Sequence, residues 1–296
     1  MDAWGLALVV AKWVIYLGQA AASGGVLMLA AVGAWRAEDA AFIRQLSLRL
    51  LAAGSVGLLA VVASFFLHTG AFADAGPGGM LDGDLLAFLW DSPIGSAACL
   101  RALGILLPLA ALCLAPLPGS TAGRLLLFVV LCGPGLLLTG WSFTVVGHVA
   151  ELGGVHRVLL AVHVVIALCW AGALYPLWLA CDSFSPPPLR KIMHDFGSLA
   201  VWVVPLLVGA GIVLLWALLD TPWALFTTPY GLALVSKIAL VLLILLLAAL
   251  HRWVLVPRLV DHRAGRQLRR SIAGETLLVS LVLLITALLS SVFGPA

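Results

Sequence analysis

The sequence predicts an all-α, polytopic membrane protein with eight transmembrane helices, and three observations lead to this fold class. The chain of 296 residues is 63% hydrophobic and 10% charged, with a mean hydropathy of +1.17. A soluble domain of this size could not bury so much apolar surface. The apolar runs last about 20 residues, which is the length that crosses a bilayer as a helix. They also lack the alternation of a transmembrane β-barrel, so the spans are expected to be helical.

The chain contains eight long apolar segments, and each is predicted to form one membrane-spanning helix. The first follows Asp2 instead of a basic start, so we expect it to remain as a membrane anchor and not to be cleaved as a signal peptide. The five cysteines fall within or at the ends of apolar runs without a CxxC pattern, which does not favour a disulfide framework. The predicted spans are 5–34, 47–68, 94–115, 124–146, 156–181, 196–219, 230–251 and 271–292.

Basic residues sort to one side of these spans. The connections after spans one, three, five and seven, with the helix ends beside them, hold twelve of the sixteen Lys and Arg residues. These twelve are Arg36, Arg44, Arg49, Arg124, Arg190, Lys191, Arg252, Arg258, Arg263, Arg266, Arg269 and Arg270. The positive-inside rule places these connections in the cytoplasm and both termini in the periplasm. The net charge of +3 therefore reflects topology and does not indicate nucleic-acid binding.

An internal repeat relates two segments of the chain, DSPIGSAACLRALGILLPL at 91–109 and TTPYGLALVSKIALVLLIL at 227–245. The matching positions are Pro93 with Pro229, Gly95 with Gly231 and Arg101 with Lys237. The match predicts two four-helix halves, 1–146 and 147–296, in a parallel 4+4 repeat. Because each half has an even number of spans, a pseudo-twofold axis along the membrane normal is expected.

Four histidines are predicted on the periplasmic side, three of them in or beside the stretch GHVAELGGVHRVLLAVHVVIALCW at 147–170. His68, His148 and His156 share one depth at the membrane surface on three different helices, so we expect them to converge as a metal entry site. Histidine inside a bilayer usually has a functional role, and imidazole is a common metal ligand. The alternative is structural hydrogen bonding at the interface. His163 is predicted deeper in the membrane.

A second metal station is expected below the entry site. His156, His163 and Trp170 are spaced seven residues apart, which places them on one helix face about 10 Å apart in height. Cys99 lies at the depth of His163. Further down, the pair Cys132 and Cys169 share a depth, and a soft metal ion suits such a path from histidine to cysteine. The other histidines, at 194, 251 and 262, are interpreted as interfacial polar residues on the cytoplasmic side.

Four charged residues lie inside the predicted spans and away from the span ends: Lys12, Arg101, Lys237 and Glu275. The three basic ones sit about 10 Å below the periplasmic boundary by residue count. Long basic side chains can extend back to the interface, or they can bind anions or pair with acids. A purely cationic ring would repel a metal ion, so these residues complicate a cation pathway. The periplasmic loop 69–92 is acidic and would attract cations.

The order of these residues resembles the copper-resistance protein D (CopD) family of bacterial inner-membrane proteins. The segment Gly147-His148, Gly154, His156, His163 and Trp170-Ala171-Gly172 is similar to that family's pattern. DSPIGSAACLRA, FTTPYGLALVSKIALVLLILLLAALHRWVLVPRL and RRSIAGETLLVSLVLL are also similar to family segments. In these, His251 stands where asparagine is usual and Glu275 stands at the matching acid. The likeness covers nearly the whole chain.

The resemblance implies eight helices and movement of copper between periplasm and cytoplasm. It also implies a small periplasmic copper-binding partner of the CopC type. We therefore expect a non-enzymatic copper permease that carries Cu(I) or Cu(II) from periplasm toward cytoplasm through a histidine-lined entrance. The sequence has neither a P-loop nor an Asp-Lys-Thr-Gly segment, so an ATP-driven motor is not expected.

Two other functions stay open. A haem-binding membrane redox protein would use histidines on facing helices as axial ligands, with Lys12, Arg101 and Lys237 holding the propionates. A structural or sensory membrane subunit would transport nothing. A Soret band in the purified protein distinguishes the haem function from copper handling.

Overall fold

The computed structural model describes residues 2–35, 40–114, 122–219 and 221–291. Within these ranges the regular structure is helical and contains no strand. Eight helices are long and apolar enough to cross a membrane, which confirms the predicted fold class. They are α1 (Ala3–Ala31), α2 (Ala41–Ala73), α3 (Pro93–Leu114), α4 (Ala122–Trp141), α5 (Gly154–Ser183), α6 (Pro186–Leu218), α7 (Pro229–Leu255) and α8 (His262–Leu289).

Helix α1 is the most buried of the eight and packs against α2, α5 and α8. It starts at an Asp2 cap, whose carboxylate accepts a hydrogen bond from the Gly5 amide at 2.8 Å. Five residues of α1, Ala21–Gly25, form a π-helical turn. We call the end of the bundle where α1 begins the outer end, and the opposite end the inner end.

Small residues bring α1 and α5 to backbone contact. A Cβ atom added to Gly24 would collide with the carbonyl of Cys169, and one added to Gly172 would collide with the carbonyl of Ala20. Without side chains at these glycines, the two helices approach more closely than larger residues would allow. Helix α5 also contacts α4, α6 and α8, so it lies at the centre of the bundle.

The two-half repeat stays a prediction, although α3 and α7 begin in the same way. Each is preceded by a short helix, Gly83–Trp90 before α3 and Ala224–Thr227 before α7. Gly95 packs against a carbonyl of the first short helix, and Gly231 packs against a carbonyl of the second. A larger residue at either glycine would push the short helix away, which explains why both segments have a glycine two positions after the proline.

Several helices have ends that differ from the predicted span boundaries, because hydropathy marks the membrane-crossing part of a helix and not its ends. Helix α2 continues to Ala73, so His68 lies inside the helix and does not end it. Much of the predicted loop 69–92 is helical. Helices α6 and α8 begin near the polar inner end, ten and nine residues before their predicted starts at 196 and 271.

Helix α4 ends at Trp141 and not at the predicted residue 146. The hydroxyls of Ser142 and Thr144 donate to the carbonyls three residues earlier, at 2.7 Å and 2.9 Å, and turn the chain. Gly147 then adopts φ +81°, a conformation that favours glycine. His148 therefore follows a turn and begins a short 3₁₀ helix, His148–Glu151.

Candidate functional site

A buried carboxylate in α8 is the centre of the best-defined polar cluster. Glu275 is 2% exposed. Its Oε2 lies 3.2 Å from Nδ1 of His251, and its Oε1 accepts a hydrogen bond from the indole of Trp170 at 2.9 Å. The other ring nitrogen of His251, Nε2, lies 2.7 Å from the hydroxyl of Ser271. The cluster therefore joins α5, α7 and α8.

Local structure explains why these side chains meet. Ser271 and Glu275 are four residues apart, so they lie on the same face of α8. His251 opens the π-helical turn His251–Leu255 at the inner end of α7. Such turns interrupt the normal helix repeat and occur often at functional sites. A buried carboxylate needs a partner, because an unpaired charge in the interior is costly.

A cavity of about 210 Å³ lies beside this cluster, between the inner parts of α7 and α8, and Ser271 is the member of the cluster that lines it. Ser271, Gln267 and Arg258 are the polar residues in its lining. Because Ser271 also contacts His251, polar groups run from the cavity through His251 to Glu275 and Trp170. The arrangement can pass a proton or hold a cation between the cavity and the bundle interior.

The sequence identifies Glu275 as an intramembrane charge but does not reveal its partners. The interpretation of His251 as an interfacial residue stays a prediction, but its side chain is only 14% exposed and pairs with Glu275. The seven-residue spacing puts Trp170 on the histidine face of α5 but assigns it no role. One signal for the pairing is present: an acid inside an apolar helix requires a partner, and His251 lies in the preceding apolar helix.

His68 lies in a second cavity, of about 140 Å³, at the outer end. Its Nδ1 lies 2.7 Å from the carbonyl of Ser64. A carbonyl only accepts, so Nδ1 carries the proton and Nε2 is the nitrogen left for a ligand. Lys12 and Arg101 line the same cavity. His68 thus shares the cavity with two positive charges, which disfavour a bare metal cation there.

His163 faces α6. Its Nδ1 lies 3.0 Å from the carbonyl of Leu207 and therefore donates to it, which leaves Nε2 as a lone-pair donor for a ligand. Gly211, one turn further along α6, leaves room for the ring, because a Cβ there would lie 3.1 Å from Cε1 of His163.

The predicted entry site of His68, His148 and His156 stays a prediction. His156 lies in the first turn of α5, where its Nδ1 is buried and has no hydrogen-bond partner among the described residues. The side chain of His148 lies outside the described part of the chain. Arg36, one of the twelve basic residues of the topology prediction, also lies outside it. His156 is not among the residues that line the cavity of His68.

The predicted cysteine path also stays a prediction. Cys132 is buried, Cys169 is half-buried, and Cys99 is exposed on the surface of α3. Across the described residues, no three His, Cys, Asp or Glu side chains come together closely enough to hold one metal ion. Any metal held by these residues would therefore have fewer than three such ligands in this conformation.

The intramembrane basic residues differ in their surroundings. Lys12 donates to the carbonyl of Ser290 at 2.8 Å. Arg101 is 8% exposed and lies over the ring of Phe143, 5.7 Å from its centre. Lys237 is half-buried in α7. Lys12 and Arg101 therefore flank the outer cavity, and Lys237 does not line it.

Residues 190–289 match the family model for copper resistance protein D. The match confirms the resemblance over nearly all of α6 and over α7 and α8, including His251, Ser271 and Glu275. Trp170 and the four outer histidines precede the matched segment. No curated protein and no solved structure matches the chain.

Proposed function

We propose that this chain, whose residues 190–289 match the copper resistance protein D family, is a permease that carries copper from the periplasm toward the cytoplasm. The family match supports copper as the transported ion, and the eight apolar helices support a multi-pass membrane protein. We place it in the bacterial inner membrane with both termini in the periplasm, because the basic connections then face the cytoplasm.

The buried cluster around Glu275 is the observation that carries this proposal. It lies within the membrane bundle, its carboxylate and imidazole are groups that bind copper ions, and polar groups link it to the inner cavity. On its other side, α5 carries His156, His163 and Trp170 at seven-residue spacing. These side chains supply successive stations between the outer end and the cluster.

His163 is the station above the cluster. Its Nδ1 is fixed by the Leu207 carbonyl, so Nε2 is oriented by α6 and free to bind copper. A weak site with few ligands suits transport, because an ion held too tightly would not leave.

Copper accumulation in cells tests the pathway. We expect His163→Ala to lower accumulation several-fold and to lower the copper bound per purified protein. The control is His262→Ala, an exposed histidine at the start of α8. Equal copper handling by the two variants, at equal expression, would remove His163 from the pathway. A Soret band that is present in the purified wild type and lost in His163→Ala would favour the haem-binding function over copper transport.

A periplasmic copper-binding protein of the CopC type is the proposed donor. The acidic outer segment supports this, because Asp74, Asp84 and Asp91 are exposed and would attract a positively charged surface or the metal itself. We expect Asp84→Asn/Asp91→Asn to slow copper transfer from such a protein to vesicles that contain the permease, and more so at low salt. Transfer rates that do not change at any salt concentration would argue against docking at this segment.

A further inference from the structure

We propose that the outer cavity binds a small oxyanion, a carboxylate or phosphate group, between Lys12 and Arg101. The cavity is formed by α1, α2 and α3, the turn after α4 and the end of α8. The proposal goes beyond copper transport and does not depend on it.

Charge is the first reason. Lys12 and Arg101 both line the cavity, and no carboxylate occurs among the described residues of its lining. Two cations that share one small cavity repel each other, and removal from water makes that repulsion stronger. An anion between them would remove this repulsion. The volume of about 140 Å³ equals that of roughly four or five water molecules, so a small oxyanion fits.

The environment of Arg101 is the second reason. The residue is only 8% exposed, and its Nε has no hydrogen-bond partner among the described residues. The ring of Phe143 contacts the guanidinium but accepts no conventional hydrogen bond. A buried donor without a partner is costly, and a guanidinium pairs with an oxyanion through two parallel N–H groups. The free Nε is therefore the group that a ligand would satisfy.

Lys12 is held where it can contribute the second contact. Its Nζ donates one hydrogen bond to the Ser290 carbonyl at 2.8 Å, and its other two N–H groups have no acceptor among the described residues. The hydroxyl of Tyr16, which also lines the cavity, lies 3.3 Å from the Ser290 hydroxyl. Hydroxyl and ammonium donors thus complete a site that matches an oxyanion and disfavours a metal cation.

Thermal unfolding of the full chain in lipid-free detergent tests this site. Sodium acetate or sodium phosphate is titrated at constant ionic strength, with sodium chloride as the balancing salt. We expect a saturable rise of several degrees in the unfolding midpoint with at least one oxyanion, because a ligand that binds only the folded state stabilises it. Lys12→Met should raise the half-saturating concentration at least tenfold.

The matched control is Arg124→Gln, which removes one positive charge from an exposed position of α4 at the inner end. This variant should keep the wild-type response. Arg101→Lys keeps the charge but loses the paired N–H groups, so it should weaken the response. Lys12→Met supplies an independent test if Arg101 variants do not fold.

The source of the oxyanion is distinguished by a second titration. If phosphatidylglycerol in mixed micelles raises the midpoint of wild type but not of Lys12→Met, and free anions do not, the site takes a lipid phosphate. A response to acetate or phosphate alone assigns it to a free anion. If neither titration stabilises the wild type, or if Lys12→Met responds like Arg124→Gln, the proposal is overturned.

Discussion

Glu275 has an environment that depends on side chains from two other helices. Its two oxygens contact His251 and Trp170, which come from α7 and α5. An acid within the last span is predictable from the sequence, because a charged residue is readily identified in an apolar segment. The pairing is not predictable, because the π-helical turn that begins at His251 and the rotation of α7 against α8 are set by packing.

Removing one partner of this buried pair should destabilise the fold. His251→Ala leaves a carboxylate that is 2% exposed without its imidazole, and loss of one buried partner costs about 3–5 kcal/mol. The unfolding midpoint in detergent should fall clearly. His194→Ala is the control, because the side chain of His194 is 68% exposed beside Asp195 and should have little effect.

The double variant His251→Ala/Glu275→Gln tests whether these two side chains interact energetically. Because the Glu275→Gln side chain carries no charge, loss of His251 should cost less in that background, so the two changes should not add. Additive losses of stability would show that the two side chains do not interact energetically. Glu275→Gln alone should also lower copper accumulation at normal expression.

The crossing of α1 and α5 brings the backbones of the two helices into contact. The small residues at this crossing are few: Gly24 and Gly25 in α1 lie against Cys169 and Gly172 in α5. The W-x-G pattern at the end of the histidine face places a small residue at Gly172, where a close approach is expected. The π-helical turn opposite is not predictable in the same way, because such a turn has no simple sequence periodicity.

A single methyl group should disturb this crossing. Gly24→Ala places a Cβ onto the carbonyl of Cys169, so either the helices separate or the π-helical turn shifts. Overpacking of this kind typically costs about 1–3 kcal/mol. The unfolding midpoint in detergent should fall, and copper accumulation should fall with it.

Gly274→Ala is the matched control for that change. A Cβ at Gly274 meets no atom within 4 Å, and Ala is the better helix former by up to about 1 kcal/mol. Its unfolding midpoint should be unchanged or higher. If Gly24→Ala and Gly274→Ala unfold at the same temperature, the close contact with Cys169 does not control stability.

Composition and hydropathy predict more of the overall fold than local sequence patterns do. Hydropathy alone predicts eight spans, because lipid leaves the backbone no alternative to helices of a given length. The relation between the two halves does not follow from hydropathy in this way. The helix starts at Pro93 and Pro229 share a preceding short helix and a glycine contact, yet superposition of all eight helices stays a prediction.

Orientation is the whole-molecule property that cysteine labelling can test. The outer end carries Asp84 on a short helix, and the inner end carries Arg263 in the first turn of α8; both are exposed. With both termini in the periplasm, a membrane-impermeant maleimide should label Asp84→Cys in intact spheroplasts. It should label Arg263→Cys only after the membrane is permeabilised. Replacing Cys99 and Cys113 by alanine removes the exposed native thiols.

The physical reason for this expectation is the distribution of basic side chains. Arg263 begins a polar segment that also holds Arg266, Arg269 and Arg270, and such clusters resist translocation across the membrane. Labelling of Arg263→Cys in intact spheroplasts, with Asp84→Cys protected, would show that the topology is the opposite of the predicted one. The cavity beside Ser271 would then open to the periplasm, and copper would meet Glu275 and His251 before it reached His163.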